Sequence, residues 1–171
     1  MIIRPIEPTD FEAIDQLIYE SFSHSEHGYD NEVALVHALR KEARYRNDFE
    51  CVAIRDHRIV GYGLLSEAMI AESTGVVLAP LAVLPETQRQ GVGTALLLAL
   101  EQQAQQLRYP FLSILGDPSY YSQFDYLPAS HFNIYAPFEV PDEAFMIKAL
   151  QDSTLPTGTL LYSKAFNEVI E

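Results

Sequence analysis

The sequence predicts an α/β fold, and three observations predict it. An apolar run from Gly75 to Leu84, a helical pattern from Thr94 to Leu107 and a second apolar run from Phe111 to Leu115 follow one another directly. A strand, a helix and a strand joined in that order favour a parallel pair with a right-handed crossover. Earlier, Phe49–Arg55 and Ile59–Met69 flank Asp56-His57-Arg58, the pattern of a hairpin. Two amphipathic helical stretches precede that hairpin, so helices and strands are interspersed along the chain. At 171 residues the chain fits a single domain, 1–171, and no Pro/Gly-rich linker or internal repeat divides it.

Taken in order, Ile2-Ile3-Arg4 reads as a short first strand ended by Pro5 and Pro8. Thr9 or Asp10 can cap a helix running to about Phe22, with Phe11, Ile14, Leu17 and Ile18 on one face. The polar stretch Ser23–Asn31, which holds Gly28, reads as a loop, and Glu32–Ala43 as a second helix striped by Val33, Val36, Leu39 and Ala43. The near-continuous apolarity of Gly75–Leu84 points to a strand buried on both faces. The central helix spaces Val92, Leu96, Ala99, Leu100 and Leu107 at helical intervals, with Glu101, Gln102, Gln105 and Gln106 on its other side. Asp117 as N-cap and Pro118 at the first helical position open a short helix through Phe124. Strand-like segments follow at Phe132–Tyr135, Ala144–Leu150 and Gly158–Tyr162, separated by Pro137, Pro141 and Pro156.

Composition narrows the function. A chain of this length that is 48% hydrophobic and 20% charged can hide most of its apolar surface without staples. Its one cysteine, Cys51, excludes an internal disulfide, and its strand setting, Glu50-Cys51-Val52-Ala53-Ile54, reads as that of a buried, inert thiol. No apolar run approaches the roughly 20 residues of a bilayer span. The N-terminus lacks the basic and apolar regions of a signal peptide, so the expectation is a cytoplasmic protein without membrane association. The 24 acidic side chains against 11 basic ones give a formal charge of −13, which argues against nucleic-acid binding and favours cationic partners.

The turn Gln88-Arg89-Gln90-Gly91-Val92-Gly93-Thr94 carries the chemistry. It is polar, contains glycine and opens a helix, whose first amides lack internal acceptors and whose dipole favours an anion. Gly91 and Gly93 let a phosphate approach the main chain closely. Three phosphate-binding solutions compete. A P-loop needs a lysine after its last glycine, and Thr94 follows Gly93 instead. A dinucleotide fingerprint needs a third glycine where Leu96 stands, and the polar insert Pro85–Gln90 separates the strand from Gly91.

The third solution fits. Gln88-Arg89-Gln90-Gly91-Val92-Gly93 resembles the Q/R-x-x-G-x-G/A hallmark of the GCN5-related N-acetyltransferases, the GNAT superfamily. Leu81-Ala82-Val83-Leu84-Pro85 resembles that family's L-x-V-x-P strand. The segment Leu115-Gly116-Asp117-Pro118-Ser119-Tyr120-Tyr121-Ser122-Gln123-Phe124-Asp125-Tyr126 is similar to its Y-x-x-x-G-F segment, in a G-D-P-x-Y-Y form found in one branch of bacterial members. The likeness in element order covers about 1–165. The chain departs from the pattern at Asp125-Tyr126, where the family has Gly-Phe. If that position needs positive φ, Asp tolerates it better than most L-residues.

The resemblance implies a mixed, mainly antiparallel sheet flanked by helices, with strands four and five splayed into an acyl-CoA slot. It implies acetyl-CoA as co-substrate and no metal. Backbone N–H groups of Gln88, Arg89, Gln90, Gly91, Val92, Gly93 and Thr94 would hold the pyrophosphate, with Arg89 adding charge. Main-chain groups of Leu81, Ala82 and Val83 would pair with the pantetheine arm, and an N–H near Val83 would polarise the thioester carbonyl. Tyr121, four residues before Asp125, matches the family's acid for the departing CoA thiolate. Tyr120 cannot point the same way, since successive helical residues lie about 100° apart.

Direct attack needs a neutral amine. A lysine-like amine with pKa about 10.4 is protonated at pH 7 by about 3.4 units, or about 4.6 kcal/mol, so a base or a desolvating pocket must help. Glu26, Glu67, Glu72 and Glu86 are the acidic candidates. His24 and His27 lack a third fixed ligand, which makes them poor metal ligands. A covalent intermediate on Cys51 is disfavoured because that residue is remote in sequence from both motifs. The expectation is transfer to a primary amine of a small molecule. A peptide or protein acceptor, a silent acyl-CoA sensor and a homodimer stay open.

Overall fold

The hairpin at Asp56-His57 is in place in the computed structural model, which describes residues 1–25, 28 and 30–170. Both turn residues have positive φ, 52° and 62°, the backbone of a tight hairpin whose twist matches the flanking strands. It joins β2 (Glu50–Arg55) to β3 (Arg58–Ile70), and β1 (Ile2–Pro5) pairs antiparallel with β2. β1, β2 and β3 as far as Leu65 belong to the first of two units, made of Met1–Leu65, Ala79–Gln103 and the segment from Lys164. Its helices are α1 (Phe11–Ser23), α2 (Glu32–Arg40), most of α3 (Val92–Gln106) and α5 (Lys164–Ile170).

Alternation along β3 puts helices on both faces of the strand. Gly61 and Gly63 point one way. A Cβ on Gly61 would stand 2.7 Å from Val92 Cγ1 and 2.8 Å from Leu96 Cδ1, and one on Gly63 would stand 2.7 Å from Leu100 Cδ1. Helix α3 therefore rests on bare backbone. Tyr62, between them, points the other way, and its hydroxyl donates to the fully buried carboxylate of Glu50. The Tyr45 hydroxyl donates to Glu50 as well, and Arg40 of α2 donates from Nη2 at 2.8 Å and from Nε at 3.1 Å. Every hydrogen bond here is to a charged group, the stronger kind. Burial, with the Glu50 charge beside them, pushes the Tyr45 and Tyr62 phenols up. Cys51 next door is buried, and its thiol is pushed up to about 12 by burial and then by Glu50. It is the inert thiol that the strand pattern predicts.

Several sequence expectations need correction in this unit. Asp10 does not cap α1. Its carboxylate accepts the Glu7 N–H at 2.8 Å and pairs with Arg4 at 2.7 Å, so it closes the short turn Pro8–Asp10 instead. The Arg4 hydrogen bond holds that carboxyl below its usual range. Phe11 is exposed and carries the Arg40 guanidinium 4.2 Å above its ring, whereas Ile14, Leu17 and Ile18 are buried as expected. Helix α2 stops at Arg40, and Ala43 is exposed. The pattern also gave no sign of α5, whose Ala165 N–H donates to Glu42 Oε1 at 3.0 Å.

The second unit comprises Ser66–Leu78 and Ala104–Ser163. Here β4 (Ser73–Val83) begins, and it runs parallel to β5 (Phe111–Leu115) through Val76↔Leu112 and Val77↔Ser113, as the crossover rule predicts. Gly75 lies under Phe111, whose ring atoms would sit 2.4–2.5 Å from a Cβ there. On its other side β5 pairs antiparallel with β8 (Phe145–Ala149), which also pairs with β6 (Leu127–Pro128). The order β5–β8–β6 is not sequential, and β6 was not legible as a strand because it is only two residues long. Phe132 lies in the short turn Ala129–Phe132 rather than in β7 (Ile134–Tyr135), which runs parallel to β9 (Gly158–Leu161). The last residues of β3 pair with β9, Met69 opposite Leu161. The sheet is thus mixed and mainly antiparallel, as expected.

Removing Arg40 leaves Glu50 as a buried charge without its cation. Arg40→Met is expected to cost about 3–5 kcal/mol in urea unfolding, and a loss under 1 kcal/mol would mean that the two phenols alone hold the carboxylate.

Candidate functional site

The turn before α3 has the backbone of an anion cradle. Arg89 has φ 64° and Gly91 φ 85°, so left-handed residues punctuate it. A Cβ on Gly91 would meet nothing within 4 Å, so the glycine is there for its φ and for an uncovered backbone. Gln88, Arg89, Gln90 and Gly91 are exposed, while Val92 is buried against Gly61. The first intrahelical bond runs from Ala95 N–H to Gly91 O at 3.0 Å. Amides before Ala95, those of Val92 and Gly93 included, are the helix's opening donors, at the positive end of its dipole. Side chains brace the turn. Gln90 Nε2 donates to the Glu86 carbonyl at 3.2 Å, and Arg55 Nη1 donates to Gln90 Oε1 at 2.6 Å. Arg55 thus brings a second guanidinium beside Arg89's turn. No sequence motif pointed to it, because 35 residues separate it from Gln90.

The end of β4 feeds this turn. Leu84 N–H donates inward to Val60 O at 2.9 Å, so Val83, one residue earlier, presents its main chain to the other edge. Both of its groups meet side chains. The Val83 N–H donates to Ser21 Oγ at 3.3 Å, and Gln88 Nε2 donates to Val83 O at 3.2 Å. Leu81 lies two residues back and shares that edge by strand periodicity. Ala82 is buried and Leu81 half-buried. Gln88 therefore has a second duty as a side chain, and Ser21 on α1 touches the amide singled out in the sequence. Nothing in the sequence marked Ser21.

Tyr121 belongs to the second unit. Helix α4 (Pro118–Tyr121) opens as predicted, with Asp117 Oδ1 accepting the Ser119 N–H at 2.9 Å. Asp125, at the position where the resemblance has glycine, has φ 72° and is left-handed. Gly116 seats the tyrosine. A Cβ there would lie 2.6 Å from Tyr121 Cε2. Tyr120 stands edge-on to Tyr121 at 5.0 Å and 81°, and Tyr126 at 6.2 Å and 74°. Burial, then the neighbouring Tyr120 and Asp117, push the Tyr121 phenol up to about 12.

Among the candidate bases, Glu67 stands in a built setting. It is half-buried and accepts the Tyr109 hydroxyl at 2.8 Å, and Gln151 Nε2 holds the Tyr109 carbonyl at 3.2 Å. Glu72 is exposed, and Glu86 pairs with Arg58 at 3.1 Å. Glu26 and His27 lie outside the described residues. His24 donates from Nδ1 to Glu20 O at 2.8 Å, which closes the end of α1. Among the described residues no three His, Cys, Asp or Glu side chains gather as a metal site, and no helix is long and apolar enough to cross a membrane.

The chain is similar to known proteins over most of its length. Residues 11–123 match the model of the acetyltransferase (GNAT) family. YhbS of Escherichia coli strain K12, described as an uncharacterized N-acetyltransferase, is 30% identical over 98% of this chain and 99% of its own. The crystal structure of E. coli YhbS in complex with CoA superposes with a TM-score of 0.85 at 30% identity, covering 97% of this chain and 91% of the other. A GNAT family acetyltransferase from Brucella melitensis in complex with acetyl-CoA gives 0.77 at 25% identity, over 96% and 97% of the two chains.

The seat of α3 is testable by itself. Gly61→Ala places a Cβ where Val92 and Leu96 already stand, so overpacking is expected to cost about 1–3 kcal/mol. Urea unfolding with an unchanged midpoint would mean that the helix shifts freely on the sheet.

Proposed function

We propose, from the premise that this chain belongs to the GNAT family of acetyltransferases, that it moves the acetyl group of acetyl-CoA to a primary amine of a small molecule by direct attack. The observation that carries the reading is the turn at 88–94, with left-handed Arg89 and Gly91 opening α3. In this reading residues 1–171 work as one GNAT domain. The diphosphate meets the amides of Gln88 to Thr94, with Arg89 and Arg55 as nearby cations. The pantetheine arm pairs with the edge of Leu81, Ala82 and Val83. For the Val83 N–H to polarise the thioester carbonyl, it must exchange Ser21 Oγ for that oxygen. The amine then attacks the carbonyl carbon, the C–S bond breaks, and the sulfur leaves with the electron pair. Before that attack Glu67, directly or through a water, takes one proton from the ammonium form, and the nitrogen's second proton leaves to solvent water as the amide forms.

Tyr121 serves the leaving sulfur as a hydrogen-bond donor. At about 12 its phenol is a far weaker acid than a thiol at about 8.5. Full transfer of its proton to the thiolate would be uphill by about 3.5 units, or about 5 kcal/mol. A donated hydrogen bond has no such penalty. The raised pKa also keeps the phenol protonated through any working pH. YhbS and the B. melitensis acetyltransferase, which carry CoA and acetyl-CoA in their crystals, support the donor assignment.

Two variants separate the parts. Gly91→Val forces a β-branched residue to φ 85°, and calorimetric titration with CoA should show at least about tenfold weaker binding. CoA binding indifferent to this change, or absent from the parent, would end the donor assignment. Tyr121→Phe should keep CoA affinity and lower kcat at least about tenfold. Because the phenol titrates near 12, the parent's kcat should not fall between pH 8 and 10. Unchanged turnover in Tyr121→Phe would remove the donor role.

A further inference from the structure

A groove of about 610 Å³ lies within the second unit, over residues 134–145. Ile134 and Phe145, both buried, back it. Tyr135 and Phe138 line it while 50% and 47% exposed, and Glu139 and Asp142 supply carboxylates. Among the described residues no basic side chain lines it. Its walls are braced from outside. Tyr162 stacks on Phe138 at 5.8 Å and 19°, and Ser130 Oγ donates to Asp142 Oδ2 at 2.8 Å.

This lining suits one chemical class. Half-exposed aromatic rings favour an apolar body, which removes their surface from water. They also favour a cation, which meets the negative faces of the rings. Two carboxylates in a lining that carries no basic side chain among the described residues favour that cation again and repel anions. A neutral apolar guest would cover the carboxylates and give them no partner.

The groove also has a defined relation to the tyrosine. Phe145 pairs in register with Leu115, and Gly116 N–H donates to the Ala144 carbonyl at 3.0 Å. Gly116 is the residue that seats the Tyr121 ring. The groove and the phenol are therefore built on the same end of β5, within one unit.

We propose that this groove binds the acceptor, and that the acceptor is an organic ammonium compound with an apolar body. The word acceptor rests on the transferase reading; binding in the groove does not. The ring walls hold the body, and Glu139 and Asp142 draw in the ammonium form that predominates in water.

The test uses the full chain without acyl-CoA. Phenethylammonium and its neutral counterpart 2-phenylethanol are titrated calorimetrically into the parent, Phe138→Ala and Glu139→Gln. Both altered side chains are exposed, and unchanged Tm values check that the variants fold. The parent should prefer the cation by about two- to fivefold or more. Phe138→Ala should weaken the cation by a similar factor, and Glu139→Gln should reduce the preference over the alcohol. Equal binding of the two probes, binding of neither, or variants that bind like the parent would overturn the site. If the cation binds here with the expected variant pattern, yet no ammonium compound accepts acetyl while CoA still binds, the acceptor role falls and the donor assignment stands. Loss of CoA binding with the groove intact ends the donor assignment and the acceptor role with it, and leaves the ammonium site standing.

Discussion

The position of α3 depends on side-chain atoms that are absent. Gly61 and Gly63 bring the helix onto the backbone of β3, with Val92, Leu96 and Leu100 closer than any Cβ would permit. Because Val92 is both a contact residue and the first residue of the helix, the packing fixes where the opening amides lie. An anion site made of backbone donors has no side chain to readjust. Its geometry is the geometry of the helix end, and that end is set by two glycines in a neighbouring strand. The link from sequence to proposed function runs through packing here rather than through the turn residues alone.

The opposite face of the same strand is held by a different force. Glu50 is fully buried, and Arg40, Tyr45 and Tyr62 converge on it. A buried carboxylate is costly unless hydrogen-bonded and paired, so this cluster is weak grounds for extra stability. It does constrain arrangement. Arg40 ends α2, Glu50 begins β2 and Tyr62 lies in β3, so satisfying one carboxylate fixes three elements together. Arg40 also covers the ring of Phe11, which adds α1 to the same assembly. Val83, whose N–H meets Ser21 of α1, is thus tied to the helices on that side.

Legibility in the sequence followed the range of the interaction. Local chemistry was readable: the hairpin at Asp56-His57, the Asp117-Pro118 cap, the tolerance of Asp125 for positive φ and the parallel pair around α3 all stand where residue type placed them. Partners distant in sequence were not. Asp10 looks like a helix cap because aspartate favours such sites, but Arg4 and the Glu7 amide claim it first. The Arg55–Gln90, Ser21–Val83 and Gly61–Val92 contacts leave no periodic trace, since each joins separate elements. Glycines in a strand read only as weakness until the helix they admit is seen. Short pieces were harder: β6 is too brief to display alternation, β7 keeps only the last two residues of the strand read over Phe132–Tyr135, and β8 inserts between strands in an order no pattern encodes.

Charge poses the remaining problem. Counted by net charge alone, a chain with a formal charge of −13 repels a phosphate-rich donor. Net charge acts over distance, however, and at physiological salt charges more than about 8 Å apart are largely screened. Helix amides act at contact, within the first turn, where screening has little hold. The turn adds Arg89 and the tethered Arg55 at the same short range. The two length scales therefore permit opposite preferences in one chain. Backbone donors at α3 suit an anion, while the wider acidity and the carboxylates of the groove suit an ammonium compound. Under the proposed function an anionic donor and a cationic acceptor each meet the range of force that suits them, whereas a uniformly basic surface would favour the first and repel the second.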